Sequence, residues 1–145
     1  MTSLDSFVAI ARQVNFLAVV STVRADNTIQ SSLVNAGVLA SPLSGEPVLA
    51  FVTYGRVKLA NMRTRPQITV TSVAGWRWST VEGRAEIVGP DDPHASVDAE
   101  QLRMLLREVF EAAGGAHDDW DEYDRVMRTD RRAAVLVTPT RIYPS

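Results

Sequence analysis

The chain has 145 residues, a formal net charge of −2, 46% apolar and 22% charged residues, and no cysteine. Those values suit one globular domain over residues 1–145 and exclude a disordered chain, a disulfide scaffold and a thiolate metal site. They also argue against a generally basic nucleic-acid binder, and no run is long and apolar enough to span a membrane.

The segment SLDSFVAIARQV reads as a first helix, with Ser3 as a possible cap and Leu4, Phe7, Val8 and Ile10 at helical spacing. Asp5 precedes its apolar part, Arg12 interrupts it and no small-residue cleavage site follows, so it is not read as a signal peptide and a cytoplasmic location is expected. FLAVVSTV is a nearly continuous β-branched run and predicts a strand buried on both faces. RADNT is turn chemistry, and IQSSLVNAGVLA after it completes an antiparallel hairpin. A further turn, SPLSGEP, leads to a third strand, VLAFVT.

A short basic helix follows from about Arg56 to Arg65, ended by Pro66. QITVTSV alternates as a half-exposed strand should, and WRWSTVEGRAEIVG is a long strand with Gly83 at a bulge or bend. Beyond the loop PDDPHAS, Leu102, Leu105, Leu106, Val109, Phe110 and Ala113 form a helical stripe closed by Gly114 and Gly115. HDDWDEYDRVM is a second helix, with acids in its first turn and Trp120, Tyr123 and Met127 on one side. AAVLVTPTRIY is the last strand. Six strands in mostly antiparallel order with peripheral helices predict a mainly β (α+β) fold, a closed or nearly closed barrel rather than an open βαβ sheet.

The basic helix carries the clearest chemistry. A helix start presents unpaired N–H groups and a partial positive charge, and Gly55 leads a strand directly into it. Arg56 adds a planar fork of donors and Lys58 a point charge, so an anion such as phosphate fits; a solvated basic face is the bland alternative. Asn61 lies on a similar face and can orient the loop or a ligand, whereas Arg63 and Arg65 are expected to face solvent or a partner subunit. Trp76 and Trp78, two apart on a strand, share a face, either as barrel-core or dimer-core aromatics or as a stacking surface. His94 and His117 lack the spacing of a metal pair, so no metal is expected. Only Tyr54 interleaves with the basic charges, too few aromatics for a nucleic-acid platform.

YGRVKLANMRTRPQITV resembles a stretch of the flavin- and deazaflavin-binding split β-barrel proteins, the pyridoxamine-5'-phosphate-oxidase-like superfamily, in which Arg-x-Lys-x-x-Asn-x-Arg follows the third strand. GWRWSTVEGRAEIVGP, HDDWDEYDRVMRTDRR and the ending RIY extend the likeness over nearly the whole chain, and it is nearest the branch that uses the deazaflavin coenzyme F420. The resemblance implies an FMN-binding type of six-stranded split barrel, a homodimer with the cofactor at the subunit interface, and hydride transfer from reduced F420 to a conjugated small-molecule substrate. It places the cofactor phosphate on Arg56 and Lys58 with Asn61 nearby, and the ring beside Gln30, Ser32, Thr53 and Tyr54. It also implies that Trp76 and Trp78 come from the partner subunit, and that Arg131 or Arg132 lies near the cofactor's anionic side. Catalytic groups are not assigned, although Tyr143 or a water is a conceivable proton donor. The same fold with FMN, as an oxidase or reductase, and a non-catalytic F420-binding or storage protein are the rival expectations. Vitamin B6 oxidation is not expected, because those oxidases continue past a C-terminus like RIYPS into a longer stretch with basic substrate-binding residues.

Overall fold

A computed structural model describes residues 3–144. Its elements in chain order are α1 (Leu4–Ala11), a 3-10 turn (Arg12–Val14), β1 (Leu17–Val23), β2 (Ile29–Ala40), β3 (Pro47–Thr53), α2 (Arg56–Thr64), β4 (Gln67–Ala74), β5 (Arg77–Val88), α3 (Ala99–Ala112), α4 (Trp120–Thr129) and β6 (Ala133–Tyr143). The strands close into an antiparallel barrel in the order β1-β2-β3-β6-β5-β4. None of the described helices is long and apolar enough to cross a membrane.

The barrel interior is filled by side chains that alternate inward, among them Val20, Phe51, Val70, Val81 and Val135. Phe7 and Ala11 of α1 and Leu59 and Met62 of α2 join that cluster. A second apolar layer forms where β3 and β6 turn Val48, Ala50, Ala134 and Leu136 outward against Leu105, Leu106 and Val109 of α3 and Tyr123 and Met127 of α4. β6 is therefore buried on both faces along Ala133–Val137, which explains its unbroken apolar run.

β1 does not match the expectation from its sequence. Its burial alternates, with Ala18, Val20 and Thr22 inside and Leu17 and Val19 outside. The reason is topological: β1 pairs with β2 and β4, and among the described residues nothing covers Leu17 and Val19 on its outer face, which stay exposed. Leu33 lies opposite Val19, and Val73 opposite Trp78, so Leu17, Val19, Leu33, Val73 and Trp78 form one exposed apolar face across β2, β1, β4 and β5.

Local signals account for the element boundaries. Asp98 and Gln101 form a reciprocal capping box at the start of α3, each side chain bonding the other's backbone N–H at 2.8 Å. Asp119 caps α4 through Glu122 N, and His117 Nδ1 accepts from Asp119 N. Ser3 sits at the N-cap of α1 but makes no side-chain capping bond. The β5–β6 register shifts at Glu82/Gly83 as the glycine predicts, and a Cβ there would lie 2.6 Å from Thr138 O.

α3 is locked to α4 by charge. Asp124, 5% exposed, accepts from Arg103 Nη1 at 2.8 Å and from Arg107 Nε and Nη2 at 3.0 and 2.6 Å. Tyr123 donates its hydroxyl to Leu106 O at 2.8 Å alongside. The Arg107 and Arg103 guanidiniums hold the Asp124 carboxyl below its ordinary pKa of 3.8, against the opposing effect of desolvation. Replacing Asp124→Asn leaves two arginines short of their partner and is expected to cost about 2 kcal/mol, read by urea denaturation. Because the folded-state pKa is depressed, the gap between wild type and variant is full above 3.8 and closes as pH falls through the folded value.

Candidate functional site

β3 ends at Thr53, paired with Ala133 of β6, and passes through Tyr54 and Gly55 into α2. Thr53 is buried, and its Oγ1 accepts from Gly55 N at 3.2 Å, which sets the turn. Gly55 occupies the N-cap position in extended backbone with no side-chain cap, leaving the first-turn amides of α2 available. A Cβ on Gly55 would lie 3.0 Å from Lys58 Cε and 3.6 Å from Nζ, so glycine leaves room for the lysine stem to fold back over it.

Lys58 is only 7% exposed. No carboxylate among the described residues pairs with it, and no hydrogen bond to its ammonium is formed. Burial pushes its pKa below 10.5. A desolvated cation without a counter-charge is unfavourable, and here it stands beside the start of a helix. Arg56, at the first position of α2, is exposed and likewise carries no ion pair. The Lys58 ammonium thus lies at the helix start with no internal anion, and Arg56 stands free at the first helical position.

The other basic residues of the segment are engaged within the chain: Arg63 is exposed as expected yet ion-paired, and Arg65 is half-buried. Arg63 makes a two-pronged bond to Asp92, with both contacts at 2.7 Å, and Arg65 Nε donates to Val23 O at 2.8 Å. They fasten α2 to the 89–98 loop and to the end of β1. Asn61 is buried and faces inward: its Nδ2 donates to Thr22 Oγ1 at 3.0 Å, and Thr22 Oγ1 donates to Gln30 Oε1 at 3.1 Å. A polar chain thus runs from α2 through β1 to β2. Thr22 is the central link that the sequence reading missed; its signal was a polar pair, Ser21 and Thr22, at the end of an otherwise apolar strand.

Gln30 and Ser32 share the inward-facing register of β2 with Val34 and Ala36. Here the barrel splits. The β2–β3 ladder runs only from Ala36 opposite Phe51 to Ala40 opposite Pro47, so Ile29–Asn35 pairs with β1 on one edge and with no strand on the other. The Ser32 hydroxyl is buried without a hydrogen-bond partner, an uncommon state for a native polar group.

Trp76 does not lie on a strand with Trp78 as expected. Gly75 and Trp76 form the two-residue turn between Ala74 and Arg77, with Gly75 at φ 64°, which tight hairpin turns require. Trp76 consequently projects from the tip, 99% exposed, while Trp78 lies on the outer apolar face with its ring 6.0 Å from that of Tyr143. Neither is in the barrel core. Arg131 and Arg132 both have acidic partners, Asp91 and Asp130 respectively, and the Arg132 guanidinium also lies over the Tyr54 ring at 4.2 Å.

The family model described as pyridoxamine 5'-phosphate oxidase matches residues 7–144. Solved structures of the same fold include a conserved hypothetical protein from Mycobacterium tuberculosis, 20% identical with a TM-score of 0.66, the match covering 98% of this chain and 82% of that one. Another is named F420 reductase, 20% identical with a TM-score of 0.61, over 94% of this chain and 95% of that one. A pyridoxamine 5'-phosphate oxidase-related, FMN-binding protein from Nostoc punctiforme is 13% identical with a TM-score of 0.65, over 96% and 79% of the two chains. At these identities the likeness is one of fold.

A lysine whose folded-state pKa is lowered costs stability at neutral pH, and the cost is relieved as pH rises from the lowered value toward 10.5. Lys58→Met is therefore expected to raise the stability of the unliganded protein by about 1 kcal/mol, seen as a higher Tm, and to abolish the pH-dependent gain. An unchanged or lower Tm would mean that the ammonium already has its counter-charge.

Proposed function

Because the chain belongs to the pyridoxamine 5'-phosphate oxidase family, we propose that it is an oxidoreductase with a phosphate-bearing deazaflavin, coenzyme F420, which passes a hydride to a conjugated organic substrate. The observation that carries this reading is the buried, unpaired Lys58 beside Arg56 at the start of α2. In it, the first-turn amides of α2, Arg56 and Lys58 would hold the phosphate, whose charge would offset that of Lys58. The full-length likeness to the protein named F420 reductase supports the choice of cofactor. FMN is the second reading, favoured by the FMN-binding neighbour, since a phosphate anchor suits both molecules.

When bound, the cofactor supplies the hydride chemistry itself. The chain's residues bind and orient it. The strand edge at Gln30–Asn35 offers backbone donors and acceptors to the polar rim of a ring, and the Ser32 hydroxyl adds one more. Asn61 acts through Thr22 to hold Gln30, a positioning role. Tyr54, under Arg132, closes the side next to Thr53. Glu82, its neighbour, and burial raise the Tyr143 phenol above its ordinary pKa of 10, but Tyr143 stands at the end of β6 away from the Ala133–Thr53 pair and takes no part in this anchor.

The reading includes a homodimer. The face made by Leu17, Val19, Leu33, Val73 and Trp78 is large and apolar, and a second copy would cover it and bring the projecting Trp76 of each chain to the other's site. Arg131 is the weakest member of the cofactor set, because Asp91 already holds it.

Purified protein titrated with F420 and with FMN is expected to bind F420 saturably and more tightly. Reduced F420 should then be oxidised when quinones or enones are added. Arg56→Ala combined with Lys58→Ala should weaken binding roughly a hundredfold or more, the loss of two charge-assisted contacts. Tighter FMN binding selects the second reading, and saturable binding without turnover by any acceptor makes the protein a cofactor carrier. Leu33, 68% exposed, tests the dimer: Leu33→Glu should leave the fold intact and convert a dimer to a monomer in light scattering at micromolar concentration, because a carboxylate would be desolvated there.

A further inference from the structure

A hollow lies apart from the residues of the α2 anchor. A cavity of about 720 Å³ opens between α3, α4 and the 89–98 loop, the size of a pocket for a small organic ligand. Its floor is apolar, made by Leu102, Leu106 and Met127, with Val97 on the loop side. Four arginines stand around it: Arg103, Arg128, Arg131 and Arg132.

The charges of the wall do not balance. Arg103 is paired with Glu100 and Asp124, Arg131 with Asp91 and Arg132 with Asp130. Asp98 is occupied as the cap of α3. Arg128, in the last turn of α4, has no ion pair or hydrogen bond among the described residues. Arg128 thus lines an apolar hollow without a partner of its own, in a wall whose acids are all engaged. The loop that forms the opposite wall is pinned at both of its adjoining acids, Asp91 to Arg131 and Asp92 to Arg63, so the cavity is preformed.

We propose that this cavity binds a small amphipathic monoanion, an aromatic or branched apolar body bearing one carboxylate, with the body on Leu102, Leu106 and Met127 and the carboxylate on Arg128. A fully polar anion would leave the apolar floor wet, and a neutral apolar molecule would leave Arg128 without its partner. A dianion would have to displace an acid already seated on a neighbouring arginine. The site adjoins the proposed cofactor anchor, because Arg132 walls the cavity and also covers Tyr54. Its ligand is held by different residues, so the assignment does not depend on the identity of the cofactor.

The test uses the intact protein and 2-naphthoate as probe, with 2-naphthamide as its uncharged counterpart, followed by calorimetry and by amide shifts in two-dimensional NMR. One-to-one binding of 2-naphthoate is expected, with shifts centred on α3, α4 and the 89–98 loop, and affinity for the naphthamide lower by roughly tenfold or more. Arg128→Gln, at an exposed position with no internal partner, should reproduce that loss without changing Tm. Lys58→Met should leave 2-naphthoate binding unaltered, which separates this site from the phosphate anchor. Equal affinity for the acid and the amide, full affinity in the Arg128 variant, shifts centred on α2, or no saturable binding would each overturn the proposal.

Discussion

The position of β6 between β3 and β5 is the constraint on which the rest depends. Its pairing with both strands closes the barrel. Its two buried faces then serve two cores at once: Val135 and Val137 point into the barrel, and Ala134 and Leu136 point toward α3 and α4. Five consecutive buried residues at Ala133–Val137 remove water from both sides of the strand, and the hydrophobic gain from that burial offsets the entropy of closing a ladder between segments far apart in the chain. Because Thr53 pairs with Ala133, the same strand fixes where β3 ends and where α2 begins.

The cationic anchor is a consequence of that ending. β3 stops, the chain turns at Gly55, and β2 continues beyond the last ladder pair with one edge free. A barrel with a complete β2–β3 ladder would have satisfied those backbone groups internally. Splitting it leaves polar backbone, a buried serine hydroxyl and a lysine without a counter-ion in one small protein, each of which lowers stability unless something else supplies the partner. Unsatisfied groups of this kind are tolerated where binding needs them, and they explain why local rules of good folding fail here while they hold at the caps of α3 and α4.

Charge bookkeeping separates structural arginines from available ones. Arg63 and Arg65 fasten α2, Arg103 and Arg107 fasten α3 to α4 through Asp124, and Arg131 and Arg132 hold the loop and the turn before β6. Lys58, Arg56 and Arg128 are, like Arg12, Arg77, Arg84, Arg125 and Arg141, without an acidic partner among the described residues, and what sets them apart is their place at the start of α2 and on the wall of the α3–α4 cavity. A count of basic residues in the segment from Arg56 to Arg65 treats four cations alike, whereas only two of them remain for a ligand.

Periodicity in the sequence determined the order and type of the elements, and hence the antiparallel barrel: alternation marked β4, the apolar stripe marked α3, Pro66 ended α2 and Gly83 marked the bulge. Those signals are local, arising from side-chain direction and backbone sterics within a few residues. Tertiary structure alone decided which face of β1 lies open, and that Arg63 meets Asp92 while Lys58 meets no acid among the described residues. Each of these depends on what another part of the chain covers or places within reach, and pairing between residues far apart in sequence leaves no periodic trace in either segment.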